Sequence, residues 1–211
     1  DYAAIKNGSY GKLMKAYYAK QDAEKLSGKG DTSQKLTLMK TSADSLKKSA
    51  DALNDSSLWE KKKIKKKDEK TGEEIEVEDY DWDKITKAVK SFVEDYNDVV
   101  KEAGESNTKD VLRNASWMTG MTDKNSNMLA KIGITIGKGN KLELDEDALK
   151  QADISSLKTV FTGYNSFVSK ISQKATGISN AANRASATYT NNGTYSKTDS
   201  SLTSSKIDKE V

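Results

Sequence analysis

LAKIGITIGKGNKLELD, Leu129–Asp145, is the stretch that decides the fold of this chain. Its first residues continue a helix that closes at Gly133. Ile134-Thr135-Ile136 and Leu142-Glu143-Leu144 then alternate apolar and polar residues, the period of a half-buried strand. Gly137-Lys138-Gly139-Asn140 between them predicts a hairpin turn. Asp145 predicts an N-cap for a helix over Glu146 to Gln151, whose acidic first turn suits the helix dipole. A phosphate-loop reading of the glycines fails. The spacing has neither a third glycine nor a G-K-[ST] ending, and a strand follows where a helix is needed. Asp145, Glu146 and Asp147 also lack the alternating spacing of a calcium loop.

Downstream, Asp153 predicts a cap for a further turn through Leu157, Val160 and Phe161, ending near Gly163. Tyr164 to Tyr189 reads as the last long helix. Tyr164, Ile171, Ile178 and Ala185 recur every seven residues, as do Val168, Ala175, Ala182 and Tyr189. Its seam becomes alanine-rich, which invites close packing, and Gly177 is its weak point. Beyond Tyr189 the chain turns to serine, threonine and asparagine, a polar tail or linker over 191–211.

Upstream, Thr108 predicts a shorter helix with Val111, Leu112, Ala115 and Met118 on one side. Trp117, Met118 and Met121 are expected in the core at its end, the alternative being an exposed sticky patch. Asp123 is expected to cap a short helix through Met128, Leu129 and Ile132. Asp83 to Ala103 is the clearest helix, with Ile85, Phe92 and Val99 in one heptad series, Val89, Tyr96 and Ala103 in the other, and Gly104 as its C-cap. Leu36, Ala43 and Ala50, interleaved with Met39, Leu46 and Leu53, predict a helix over about 32–54, started by Asp31 or Thr32. Its smaller seam complements the bulkier one of 83–103, so the two are expected to pair antiparallel with residues 58–81 as a hairpin at the tip. That hairpin sets Ile64 and a lysine run against Ile75, Val77 and a carboxylate run, turning at Lys70-Thr71-Gly72-Glu73. Tyr10, Leu13, Met14 and Tyr17 have helical spacing, so a helix is expected from about Ser9.

These elements predict a mainly α fold: long heptad-patterned antiparallel helices, a coiled coil or bundle, with two short β-hairpins. Residues 1–190 are expected to form one elongated domain. The seam residues Leu36, Met39, Leu46, Leu53, Ile85, Val89, Phe92, Tyr96, Val99, Val168, Ile171 and Ile178 are candidates for helix pairing and self-association. Hydrophobic residues make up 35% and charged residues 32% of the chain, which suits thin helical packing with wet outer faces. The chain has no cysteine, histidine or proline. Disulfides and thiolate metal sites are thereby excluded, as are the commonest general base and imidazole ligation. No cofactor is expected. No apolar run approaches the ~20 residues that span a bilayer, and no signal peptide is visible.

Phe92-Val93-x-x-Tyr96-Asn97, then Leu129-x-x-Ile132-Gly133-Ile134, Leu142-x-Leu144-Asp145, Leu149 and Val160-Phe161-x-Gly163, occur in that order. This succession resembles the C-terminal region of the flagellar filament cap family, hook-associated protein 2. The resemblance covers about residues 83–163 and is strongest over 129–163; residues 1–57 show none, and the polar tail stands where the family has a terminal helix. The motif positions it selects are Ile132, Gly133, Ile134, Leu142, Leu144, Asp145, Phe161 and Gly163. It implies export through the flagellar apparatus without a cleaved signal, an extracellular position, and assembly with itself and with flagellin-like subunits.

Three functions compete. The first is a non-enzymatic structural protein of the flagellum or cell surface; a surface adhesion or interaction module that kept the fold without the capping role is its near variant. The second is an anionic-surface or nucleic-acid binder through Lys61–Lys67. It is disfavoured because Glu73, Glu74, Glu76, Glu78, Asp79 and Asp81 stand on the opposite strand and cancel the charge. A net charge of +3 adds nothing to it. The third is an enzyme working through carboxylates, a lysine or a bound metal, but Asp and Glu sit mainly at caps and on solvated faces.

Overall fold

The computed structural model describes residues 30–67 and 72–187. The helix expected from Ser9 and the tail after Tyr189 lie outside the described residues. The elements in chain order are α1 (Ser33–Asn54), a 3-10 turn (Ser56–Trp59), β1 (Lys62–Lys67), β2 (Glu74–Asp79), α2 (Trp82–Gly104), α3 (Lys109–Lys124) and α4 (Ser126–Ala130). There follow β3 (Ile134–Ile136), β4 (Leu142–Leu144), α5 (Glu146–Gln151), α6 (Ile154–Phe161) and α7 (Phe167–Ala187). The fold is mainly helical, with two separate two-stranded antiparallel sheets.

Four helices make the body. α1 lies between α2 and α7, and α3 closes the other side against α7 and α2. All adjacent pairs fixed by named contacts run antiparallel. Lys35, at the start of α1, donates to the Glu105 carbonyl just past the end of α2 (3.1 Å). Arg184, late in α7, meets Asp110, early in α3 (3.6 Å). The expected antiparallel pair of 32–54 with 83–103 is present, and α7 is the second partner of α1.

The α1–α7 contact carries a polar repeat. Ser172 donates to Asp51 and Ser179 donates to Asp44, both at 2.7 Å. Each aspartate also pairs with the lysine four residues before it, Lys47 and Lys40. Both aspartates and both serines are one heptad apart, so sliding the helices by a heptad leaves one aspartate without its serine. Apolar seams alone tolerate such a slip; these pairs select one register.

Several local expectations give way to the packing. Gly104 is the last residue of α2 without a left-handed φ, so it is no glycine cap. Asp123 lies inside α3, and Asn125 stands at the start of α4. Asp81 caps α2 through the Lys84 N–H and is not part of the strand. The ladder is confined to 62–67 and 74–79. Tyr164 precedes α7 and is 83% exposed, so its place in the heptad series is lost. Gly177 does not weaken α7 visibly; a Cβ there would come within 2.6 Å of Asn114 Oδ1, so the glycine admits the close approach of α3. Of the expected core group, Met118 is buried, Met121 half-buried, and Trp117 is 61% exposed beneath the Lys174 ammonium, 5.4 Å from its ring centroid.

Asp31 does not cap α1; Thr32 does, accepting from the Lys35 N–H. The Asp31 carboxylate is buried and ties the beginning of α1 to the α2–α3 corner. It accepts from the hydroxyls of Ser106 (2.6 Å) and Thr108 (2.7 Å) and from the N–H groups of Asn107 and Thr108. Burial pushes its pKa up, but these donors outweigh burial and hold it below the usual 3.8. A carboxyl whose pKa is depressed by folding stabilises fully above its unfolded value of about 3.9 and loses that effect as pH falls through the folded pKa. Asp31→Ala is therefore expected to lower stability at neutral pH by about 1–3 kcal/mol, since it strands buried donors. Paired urea titrations should show the difference from wild type shrinking below about pH 4. Asp44, Asp55, Asp79, Asp81 and Asp153 are also held low, but they are common to both proteins. A difference that stays constant into acid would refute the assignment to Asp31.

Candidate assembly surfaces

The twelve seam residues put forward for helix pairing are all interior. Leu46, Leu53, Ile85, Val89, Phe92, Tyr96, Val99, Val168, Ile171 and Ile178 have no measurable exposure; Leu36 and Met39 have 2% and 3%. Their apolar area packs within this one chain. The Tyr96 hydroxyl, also fully buried, donates to Thr122 Oγ1 (2.9 Å).

Six of the motif residues, Ile132, Gly133, Ile134, Leu142, Leu144 and Asp145, belong to one unit, the β3–β4 hairpin docked on α2, while Phe161 and Gly163 contact residues at and just past the end of α1. Asn97 performs the docking. Its amide Nδ2 donates to the Leu142 carbonyl (2.9 Å), and its Oδ1 accepts the Leu142 N–H (2.7 Å). The side-chain amide thus stands in for a neighbouring strand and satisfies the outer edge of β4. Ile132, Ile134 and Leu142 are buried beneath it, and Leu144 is half-buried. The turn places Gly139 (φ 73) and Asn140 (φ 65) in the left-handed region, as a tight hairpin requires. Asp145 accepts from the N–H groups of Asp147 and Ala148, the predicted cap. Lys90 of α2 reaches Glu146 of α5 (3.2 Å). Phe161 stacks on Trp59, centroids 5.4 Å apart, and the Gly163 N–H donates to Asn54 Oδ1 (2.8 Å). These residues hold backbone and rings in place.

Trp59 escaped the sequence reading. It is 1% exposed, and its indole N–H donates to the Leu53 carbonyl (2.8 Å) at the end of α1. It sits in a four-residue turn with no period to reveal it. The signal available was a lone tryptophan between a helix stop and a lysine run.

Among the described residues, the exposed large hydrophobic side chains are Ile75 in the β1–β2 hairpin and the single residues Leu38, Trp117 and Tyr164. In the hairpin only Ile64, Val77 and Asp79 are half-buried; the other strand residues are exposed. The register sets Lys63 against Glu78, Lys65 against Glu76 and Lys67 against Glu74 on one face. Lys62 with Asp79, Ile64 with Val77, and Lys66 with Ile75 form the other. Lys65–Glu74 (3.6 Å) and Lys66–Asp79 (2.6 Å) close as ion pairs. The lysine run is thus matched by carboxylates, as the charge pattern predicted. At the base, the ammonium groups of Lys61 (5.7 Å) and Lys158 (5.9 Å) both lie over the Tyr80 ring, and the second ties the hairpin to α6.

Among the described residues no group of three metal-ligating side chains gathers, and no helix is long and apolar enough to cross a membrane. No curated protein and no solved structure matches the chain. Residues 106–210 match the family described as Flagellar hook-associated protein 2 C-terminus. The match begins after the Phe92–Asn97 motif and continues past Gly163 into the segment read as a polar tail, so that segment belongs to the matched region. The β3–β4 unit lies wholly inside it, and the β1–β2 hairpin wholly outside. Through residues 106–210 the chain belongs to the flagellar hook-associated protein 2 C-terminus family.

Proposed function

We propose that this chain is a non-enzymatic structural subunit of the bacterial flagellum, working outside the cell at the filament tip as part of a cap. Residues 30–187 serve as one elongated domain. The chain assembles with its own copies and with flagellin-like subunits. The observation that carries this reading is the family match over residues 106–210. The side-chain chemistry agrees: the residues of the shared unit act as caps, turn formers and packing groups, which suits a part whose task is shape. Because the seam residues pack within the chain, association falls to surfaces that stay exposed. A surface adhesion or interaction module is the second reading, favoured by the projecting hairpin and exposed Trp117.

Gold-labelled antibody against the full-length protein, imaged on cells and detached filaments, tests both. Gold at filament tips is the expected result. Gold spread over the envelope supports the second reading, and gold confined to the cytoplasm ends both.

A further inference from the structure

The β1–β2 hairpin has six residues in each strand, a continuous register from Lys62–Asp79 to Lys67–Glu74, and no third strand among the described residues. Each strand therefore presents an outer edge of backbone donors and acceptors. Proteins guard such edges with proline, bulges, very short strands or charge. The chain contains no proline and the ladder has no bulge, so charge is the remaining guard. The guard is of opposite sign on the two edges. β1 reads KKIKKK and β2 reads EIEVED. A β1 edge meeting another β1 edge sets lysine beside lysine, and two β2 edges set carboxylate beside carboxylate; both are repelled. A β1 edge meeting a β2 edge sets lysines beside carboxylates.

We infer that the β1–β2 hairpin is a head-to-tail connector between copies of this chain, the lysine edge of one copy adding to the carboxylate edge of the next. It deepens the assembly role proposed above and rests on it. The charge rule excludes edge pairing about a two-fold axis, because that pairs like edges. Each added copy leaves one edge of each sign open, so the contact propagates into a ring or an open chain. The same pairing makes the stripe of Ile64, Ile75 and Val77 continuous from hairpin to hairpin along one face, which removes apolar area from water that a single hairpin leaves wet.

The absence of cysteine makes the test direct. Full-length chains carrying one substitution on β1 (Lys63→Cys, Lys65→Cys or Lys67→Cys) are mixed with differently tagged chains carrying one on β2 (Glu74→Cys, Glu76→Cys or Glu78→Cys). All combinations are oxidised mildly at low ionic strength. These positions share one face, so the right register brings at least one combination together. The β1–β2 product is expected to exceed both like-strand products about tenfold, since several opposite-charge pairs favour it. It should fall toward the like-strand level in about 0.5 M salt, where the Debye length drops to a few ångströms. Equal like-strand products, or no β1–β2 product in any combination, overturn the inference. Sedimentation of the untreated wild type and tip labelling separate the two levels. Oligomers or tip gold without the β1–β2 product sink the connector alone and place the contact on another surface of the chain. A monomer without tip gold removes the assembly reading as well.

Discussion

Trp59→Ala is expected to destabilise the protein by about 3–5 kcal/mol, the range for removing a fully buried large aromatic. Three losses coincide. The stacked contact with Phe161 disappears, and with it the tie between the end of α1 and α6. The Leu53 carbonyl, one of the last acceptors of α1, loses its indole donor. A helix carbonyl without a partner in a buried place costs about 1–3 kcal/mol on its own. The cavity lies just before β1 in the chain, against Phe161 of α6. Trp59→Phe separates these contributions: it keeps an aromatic ring for Phe161 and loses the hydrogen bond, so about 1–2 kcal/mol is expected. Urea denaturation followed by far-UV circular dichroism measures both. A Trp59→Ala protein within 1 kcal/mol of wild type, on the order of a surface change, would mean that the ring does not hold this junction.

That residue also marks where the sequence stops being legible. The helices could be read because heptad spacing survives in the chain whatever the partner is: Leu36 to Leu53, Ile85 to Ala103 and Val168 to Ala182 all lie in the core. Caps were readable where one side chain serves the next turn, as at Asp145 and Asp153. Asp31 shows the limit of that logic. It has the chemistry of a cap and stands beside one, but its acceptors serve residues 106–108 on another corner. Long-range use of a short polar side chain leaves no local period. The same holds for Asn97, whose amide pairs with a strand 45 positions away, and for Trp59. Tyr164 failed in the opposite direction: it kept the heptad phase, but the chain before Phe167 is not helical and turns it outward. The assembly surface is the least legible part. Seams of this kind join chains in some proteins and close one chain in others, and only the burial of both faces against each other shows that here they close one.

Gly133→Ala is the second large effect, and its cause is backbone. Gly133 has φ +79, a left-handed conformation that costs a side-chain-bearing residue about 1–2 kcal/mol. Space is a separate obstacle. A Cβ would come 2.6 Å from the Asp145 carbonyl oxygen and 2.9 Å from the Leu149 nitrogen. Those two atoms are hydrogen-bonded to each other at 2.9 Å, the first turn of α5, so the methyl would wedge into that bond. Neither atom belongs to a side chain that can swing away. Relief requires moving α5 off the hairpin, which also pulls on the bond from the Asp145 N–H to the Gly133 carbonyl (2.8 Å). Overpacking of this kind adds about 1–3 kcal/mol to the conformational cost. Gly139→Ala is the control: φ is +73 but nothing lies within 4 Å of the added Cβ, so only the conformational cost of about 1–2 kcal/mol is expected. Denaturation midpoints of the two variants should therefore separate clearly, Gly133→Ala being the weaker protein. Hydrogen exchange on it should show faster opening at Leu149 and Asp145 than at α1. Equal midpoints would mean that α5 yields freely and that close approach at Gly133 does not hold the hairpin to the helix.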